Sequence, residues 1–301
     1  MPITSQIHVD KALSNISIKY TNNDYIAQKV FPVVMVNKDS DKYFIFDRDF
    51  RIPETIRANR GLAREHSFKM STSSYLLEKH ALKDFVSDDD KANYDAGSIN
   101  VDVTEELKDK IMLRLEKDVA DLFTSTTWTN NVSLATAQKF SLDTVTSNPV
   151  PIFDTGTSVI LANSGKTPNF AMIPKEVMMI IKNHVSIVDR VKYTSATIDE
   201  KIVAGLLGYK DVLVGGAQYD SAAEGATQSI SNVWSDNCFV GYKPARANVR
   251  TPSCGYLFMS KAPQVKKWRE EERESDAIEV NVKYDPIVTS VYAGYLIKDC
   301  I

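Results

Sequence analysis

The stretch from Asp102 to Ser125, DVTEELKDKIMLRLEKDVADLFTS, constrains this chain more than any other. Apolar side chains recur every fourth residue at Val103, Leu107, Ile111, Leu115, Val119 and Phe123, with Met112, Leu113, Ala120 and Leu122 beside them. The spacing predicts a helix over 102–125, roughly 36 Å long. A step of four residues drifts by about 40° each time, so the apolar stripe winds round the axis and such a helix needs partners on more than one side. Asp102 and Glu105 read as a capping box at its start. Lys108, Asp109, Lys110, Arg114, Glu116, Lys117, Asp118 and Asp121 fill the polar positions, with Glu106 and Lys110 in the favourable order for a pair one turn apart.

Ahead of the helix, residues 1–32 are polar, with one short helix expected from Asn22 to Phe31 and ended by Pro32. They carry too few large apolar residues to fold alone and read as disordered or as an arm lying along something else. Strand patterns follow at Lys42–Phe46 and His66–Leu77. Between them Asp47 to Glu65 carries Arg48, Arg51, Arg57, Arg60 and Arg64 but little that builds a core. A long excursion of this kind reads either as a solvated hairpin or as a grip on carboxylates or phosphates, and an acidic patch on a neighbouring protein is preferred to a phosphate backbone. Asp88, Asp89 and Asp90 lack the alternation of a calcium loop and have Asn93 where its glycine belongs, so they read as a solvated acidic turn.

Asn148-Pro149-Val-Pro151 marks a boundary, and 151–264 reads as a separate α/β unit. Its elements are a short helix or strand at Thr157–Asn163, strands at Phe170–Pro174, Lys210–Val214, Cys238–Tyr242 and Gly255–Met259, and helices at Lys175–Val185 and Ile198–Leu207. Their spacing is too irregular for a nucleotide-binding βαβ fold. Ser164-Gly165-Lys166-Thr167 lacks the earlier glycine of a phosphate loop, since Ile160 stands there. At the far end Ile278, Val280, Val282 and Tyr284 alternate with polar residues, Asp285-Pro286 breaks the run, and Val291, Ala293, Tyr295 and Ile297 resume it. This predicts two long antiparallel strands against the helix. Trp268 to Glu274, with Glu270, Glu271 and Glu272, reads as a solvated face and as a candidate dock for the Arg-rich excursion.

Composition narrows the function. A net charge of −3 over 301 residues speaks against a nucleic-acid-binding module. Cys238, Cys254 and Cys300 are unevenly spaced, which fits reduced structural thiols and neither a disulfide framework nor a zinc site. The start of the chain has no signal-peptide pattern, and no uncharged apolar run reaches the roughly 18 residues of a membrane span, so a cytoplasmic site of synthesis is expected and no membrane partner. His8, His66, His80 and His184 are scattered, without a catalytic motif around them. No catalytic residue, cofactor or metal is assigned.

The order of parts, from polar arm through charged two-stranded excursion, long helix and central α/β unit to returning β hairpin, resembles the major capsid protein of tailed bacteriophages. Several runs carry the resemblance: Asp24-Tyr-Ile-Ala-Gln-Lys-Val-Phe-Pro32 followed by Lys42-Tyr-Phe-Ile-Phe46, Gly165-Lys-Thr-Pro-Asn169, His184 through Asp189-Arg190 to Lys192-Tyr193, and Tyr292-Ala-Gly-Tyr295. The resemblance implies an α+β tailed-phage capsid fold. Its parts would be an N-terminal arm at 1–32, an extended loop at 33–74 lying over an adjacent subunit, a peripheral domain at 75–150 and 265–301 with a spine helix, and an axial domain at 151–264. It also implies a non-enzymatic subunit of pentamers and hexamers in an icosahedral head around double-stranded DNA, contacted without sequence preference. The virion, assembled in the bacterial cytoplasm, is then its location. Portal and scaffolding proteins are expected partners, a decoration protein a further one, and any scaffold or protease would be separate chains. Arg48, Arg51, Arg57, Arg60, Arg64, Glu270, Glu271 and Glu272 are the expected inter-subunit contacts. A bacterial protein-cargo compartment on the same fold is the second reading, and a soluble α+β enzyme the third.

Overall fold

In the computed structural model the predicted helix is α3, Ile99–Ser125, and both halves of the molecule pack on it. The described residues are 25–46, 52–57, 59–66, 70–95, 98–126, 128–136, 138–140, 147–192, 198–223, 225–246, 253–261 and 263–301. The helix starts one turn earlier than expected, at Ser98, and no capping box forms: Ser98 makes no side-chain cap, and Asp102 lies inside the first turn, where it accepts the Tyr94 hydroxyl. Ile111, Leu115, Val119, Ala120 and Phe123 are buried along it. They meet Val280, Val282 and Tyr284 of one sheet, and Phe170, Met172, Phe239 and Leu296 of another, in a single core. The winding stripe thus serves two sheets. Phe123 is the meeting point, with ring centroids 4.8 Å from Phe31, 4.4 Å from Phe239, 5.7 Å from Trp128 and 5.9 Å from Trp234.

The element order before α3 is α1 (Ala27–Val30), β1 (Val33–Met35), β2 (Ser40–Phe46), β3 (Met70–Leu76), β4 (Glu78–Ser87) and α2 (Asp88–Ala92). After it come β5 (Asn131–Ser133), α4 (Pro149–Ser164), β6 (Phe170–Pro174), α5 (Lys175–Asn183), α6 (Val185–Val191) and α7 (Glu200–Leu207). The chain then runs through β7 (Asp211–Gly215), β8 (Gln218–Asp220), β9 (Ile230–Asn232), β10 (Cys238–Gly241), β11 (Gly255–Met259), β12 (Gln264–Glu270), β13 (Ser275–Val288) and β14 (Gly294–Lys298).

The first sheet is built round β13. Beta4 runs along one edge from Ser275 to Tyr284, while β12 and then β11 occupy the other, and β1 adds parallel to β11. The second sheet has the order β5-β14-β10-β6-β7. Strand alternation splits its side chains between two cores: Phe170, Met172, Phe239 and Leu296 face α3, whereas Ala171, Ile173, Cys238, Val240 and Ile297 face α4 to α7. Alpha4 starts at the expected boundary because Asn148 caps the Val150 N–H at 3.1 Å and Pro149 occupies the first turn. It ends at Gly165, which takes φ +65°, a left-handed cap that glycine adopts without strain. The run Ser164 to Thr167 therefore closes a helix C-terminus, the wrong pole for a phosphate.

Three expectations change. First, the two last strands do not pair: β13 runs straight through Asp285-Pro286 in the first sheet, and β14 belongs to the second. The part of the chain expected as one peripheral unit at 265–301 is therefore divided between sheets. Second, Gly255–Met259 leaves the central unit and pairs with β1 and β13. Third, the arm does not extend to residue 32, because Ile26, Ala27, Val30 and Phe31 are wholly buried against α3 and belong to the main core.

Gly294 in β14 lies where the aromatic core leaves no room. A Cβ there would fall 2.5 Å from Phe239 Cζ and 2.6 Å from Trp128 Cζ3. Gly294→Ala is expected to lose about 1–3 kcal/mol in urea unfolding, the cost of forcing two buried rings apart.

Candidate assembly surfaces

Beta2 and β3 pair from Ser40–Leu76 to Phe46–Met70, forming the two-stranded excursion the sequence predicts. Its base is anchored. Tyr43, Tyr75 and Leu77 join Val34, Val36, Tyr256 and Phe258 in a small separate core, and Tyr75 stacks on Phe258 at 4.6 Å. Asp285 Oδ2 accepts the Leu76 N–H at 2.9 Å, and Lys283 bonds Asp39 at 2.5 Å. Burial at this junction pushes the Asp285 carboxyl above the usual range.

Beyond the base the described residues of the tip leave the body of the protein. Ile52, Ile56 and Leu62 are 95%, 85% and 96% exposed, and Arg57, Arg60 and Arg64 stand among them in open solvent. Local contacts shape the tip: Arg57 Nε donates to the Gly61 carbonyl at 2.5 Å, the Ile56 N–H donates to Glu54 Oε1 at 3.2 Å, and Arg60 takes φ +63°. Three large aliphatic side chains are thus left exposed on a loop without a core. Arg48 and Arg51 lie outside the described residues.

The expected acidic counterpart sits at the turn between β12 and β13. Glu270 closes β12, and Glu271 and Glu272 begin a 3-10 turn ending at Glu274 in a left-handed conformation. Within one chain, among the described residues, Arg57, Arg60 and Arg64 form no ion pair with these glutamates. The acidic residues meet their own strand instead, Glu270 at 3.8 Å from Arg273 and Glu271 at 3.7 Å from Arg269.

Beside this turn lies a charge network the sequence did not reveal. Arg269 grips both oxygens of Asp88 at 2.7 and 2.6 Å; Lys91 bridges Asp88 and Asp276 at 3.0 and 2.9 Å; Lys267 reaches Asp276 at 2.8 Å. The Lys267 and Lys91 ammonium groups hold Asp276 down to about 2, and Arg269 with Lys91 holds Asp88 well below the ordinary carboxylate range. Asp88, Asp89 and Asp90 are thus the first turn of α2, capped by Ser87, rather than a free acidic turn. The network joins α2 to β12 and β13 and fixes the frame from which the Glu270 to Glu272 turn projects.

The N-terminal segment has its own anchor. Glu116, on the polar side of the predicted stripe, is fully buried and accepts the backbone N–H groups of Ile26 at 3.0 Å and Ala27 at 2.8 Å, and Trp234 Nε1–H at 2.7 Å. Burial raises its pKa against the pull of these hydrogen bonds and of Lys29. The carboxylate ties the entry of the chain, the long helix and the second half of the sequence at one point.

The two sheets on one spine helix, the helix-wrapped second sheet and the tethered two-stranded excursion define the tailed-phage major capsid fold. A phage-related protein from Bordetella bronchiseptica RB50 matches it with a TM-score of 0.70 at 23% identity, over 93% of this chain and 94% of its own. The capsid of cyanophage P-SCSP1u matches with a TM-score of 0.62 at 10% identity, over 89% and 86%. In sequence the chain is 28% identical over 306 residues to the major capsid protein of Burkholderia phage BcepMu, an alignment covering 96% of each. No family model matches the chain. It is similar in sequence to a tailed-phage major capsid protein over nearly its whole length and has the tailed-phage capsid fold.

Proposed function

We propose that this chain is the repeating subunit of a tailed-phage head, a structural protein that assembles with copies of itself into an icosahedral shell around double-stranded DNA. The observation that carries this is the nearly end-to-end match to a major capsid protein, and the exposed tip of the excursion supports it physically. Ile52, Ile56 and Leu62 gain burial only when another subunit covers them. In this reading residues 1–24 are an arm, β2 and β3 carry the extended loop, the first sheet with α3 is the peripheral unit, and the second sheet with α4 to α7 is the axial unit at capsomer centres. Arg48, Arg51, Arg57, Arg60 and Arg64 reach a neighbouring subunit, with Glu270, Glu271 and Glu272 as the acidic surface they meet. Portal, scaffolding and decoration proteins are partners of the assembled head, DNA is contacted without sequence preference, and assembly takes place in the bacterial cytoplasm.

Negative-stain electron microscopy of the purified protein, with light scattering at low and moderate salt, tests this reading. Shells, tubes or capsomer rings are expected. A monodisperse monomer or dimer under every condition, with scaffold supplied, would overturn it. Reversing the charge of Arg48, Arg51 and Arg57 together is expected to suppress assembly while each monomer stays folded by circular dichroism. Normal particles from that triple variant would refute the contact.

A further inference from the structure

Two of the three cysteines lie in the second core, on neighbouring segments. Cys238 opens β10, directly opposite Ile297 of β14. Two residues beyond Ile297, Asp299 takes φ +56°, and the N–H of the next residue, Cys300, donates to the Asp236 carbonyl at 3.3 Å. Asn237 Oδ1 accepts the Asp299 N–H at 3.3 Å, fastening the same segment. Both cysteines are fully buried in one cluster, and the Cys300 thiol donates to the carbonyl of Ile297, the residue paired with Cys238, at 3.5 Å. Cys254 lies in the other core, among residues packed on α3.

We propose that Cys238 and Cys300 are a latent disulfide site that closes when the chain leaves a reducing compartment and staples β10 to the segment after β14. The proposal rests on the head-subunit reading only for that change of compartment, since a subunit made in a reducing cytoplasm then works outside it. Burial keeps the Cys238 proton on, so the folded dithiol is slow to react; exchange takes place while this corner is open, during folding or local unfolding. A small-molecule disulfide such as oxidised glutathione supplies the oxidising equivalents. One Cys thiolate attacks it, forming a mixed disulfide and releasing one glutathione thiol. The second Cys then displaces the other glutathione, so two protein thiols become one S–S bond and two glutathione thiols are formed. The bond closes a loop running from β10 through β11, β12 and β13 to the far side of β14. A long loop of this kind restricts the unfolded chain strongly.

The test uses the full-length chain, refolded from denaturant with oxidised or with reduced glutathione, so that it does not depend on shell formation. The oxidised product is expected to be lighter by the mass of two hydrogen atoms, to yield a Cys238–Cys300 peptide pair on digestion, to leave Cys254 open to alkylation after unfolding, and to melt several degrees higher than the reduced chain. Dithiothreitol should return both mass and melting point. Cys254→Ser should leave all of this unchanged, while Cys238→Ser and Cys300→Ser, close in size to the thiol, should fold and abolish the mass loss. An unchanged mass in the oxidised arm, a bond involving Cys254, a bond between chains, or a lower melting point would each overturn the proposal. Failure to form shells would instead count against the head-subunit reading and leave this result standing.

Discussion

Deleting residues 1–31 is expected to unfold the chain, whereas deleting residues 1–24 leaves it folded. The sequence alone expects the longer truncation to give soluble protein with weaker particles, because the whole segment reads as a polar arm. The structure moves the boundary. Ile26, Val30 and Phe31 are 3%, 0% and 0% exposed, and Phe31 packs on Phe123 at the centre of the main core. Losing three such side chains removes about 5–9 kcal/mol of burial, at about 1.5–3 kcal/mol each. The longer truncation also strips Glu116 of two backbone donors and leaves a buried carboxylate short of partners, a further cost of about 1–3 kcal/mol. The sum rivals the total stability of a typical domain, about 5–15 kcal/mol. Far-UV circular dichroism and a thermal melt of both truncations check this. A cooperative melt for the chain starting at residue 32 would show that residues 25–31 are ornamental to the core.

What the sequence made legible follows the range of the interactions. Alpha3 was readable because its apolar period persists over many turns, and the drift of that stripe correctly required partners on two sides. Beta2 and β3 were readable from alternation, and the Arg-rich tip from its lack of anything to bury. Pro286 misled for a physical reason. Beta4 stops pairing at Tyr284, so Pro286, opposite Leu257, sits where one edge of β13 is unpaired and a missing N–H costs nothing. The break expected there made one hairpin of two strands that belong to different sheets. The N-terminal boundary failed similarly: four buried residues in a polar stretch are too few for a local signal, and their partners lie on α3. Of the candidate contacts, the charges on the tip and the acidic turn were visible in the sequence. The Arg269, Asp88, Lys91, Asp276 and Lys267 network was not, since it joins residues nearly two hundred positions apart.

Replacing Glu116 is expected to be the most damaging single change on α3. Nothing local distinguishes it from its neighbour Lys117, because its three donors lie about ninety residues before it and more than a hundred after. Glu116→Ala leaves the Ile26 and Ala27 N–H groups and Trp234 Nε1–H without an acceptor and opens a cavity, at a cost of about 3–5 kcal/mol. Glu116→Gln fills the space and keeps one oxygen, but its amide turns a donor toward other donors, and about 1–3 kcal/mol is the expected loss. Between the two variants the contrast isolates hydrogen bonding from packing. The pH dependence has a definite sign. Burial raises the Glu116 pKa above its value in the unfolded chain, so the native state binds this proton more tightly. That contribution is fully present below the unfolded pKa of about 4.3 and declines as the pH rises through the raised native value. A glutamine does not titrate, so the measured gap between wild type and Glu116→Gln should be widest near pH 4 and narrow as the pH rises through the raised native pKa, tracked by urea unfolding monitored through tryptophan fluorescence. A gap that widens with rising pH would mean that the ionised carboxylate, held by its three donors, is favoured by folding, and that these hydrogen bonds outweigh its desolvation.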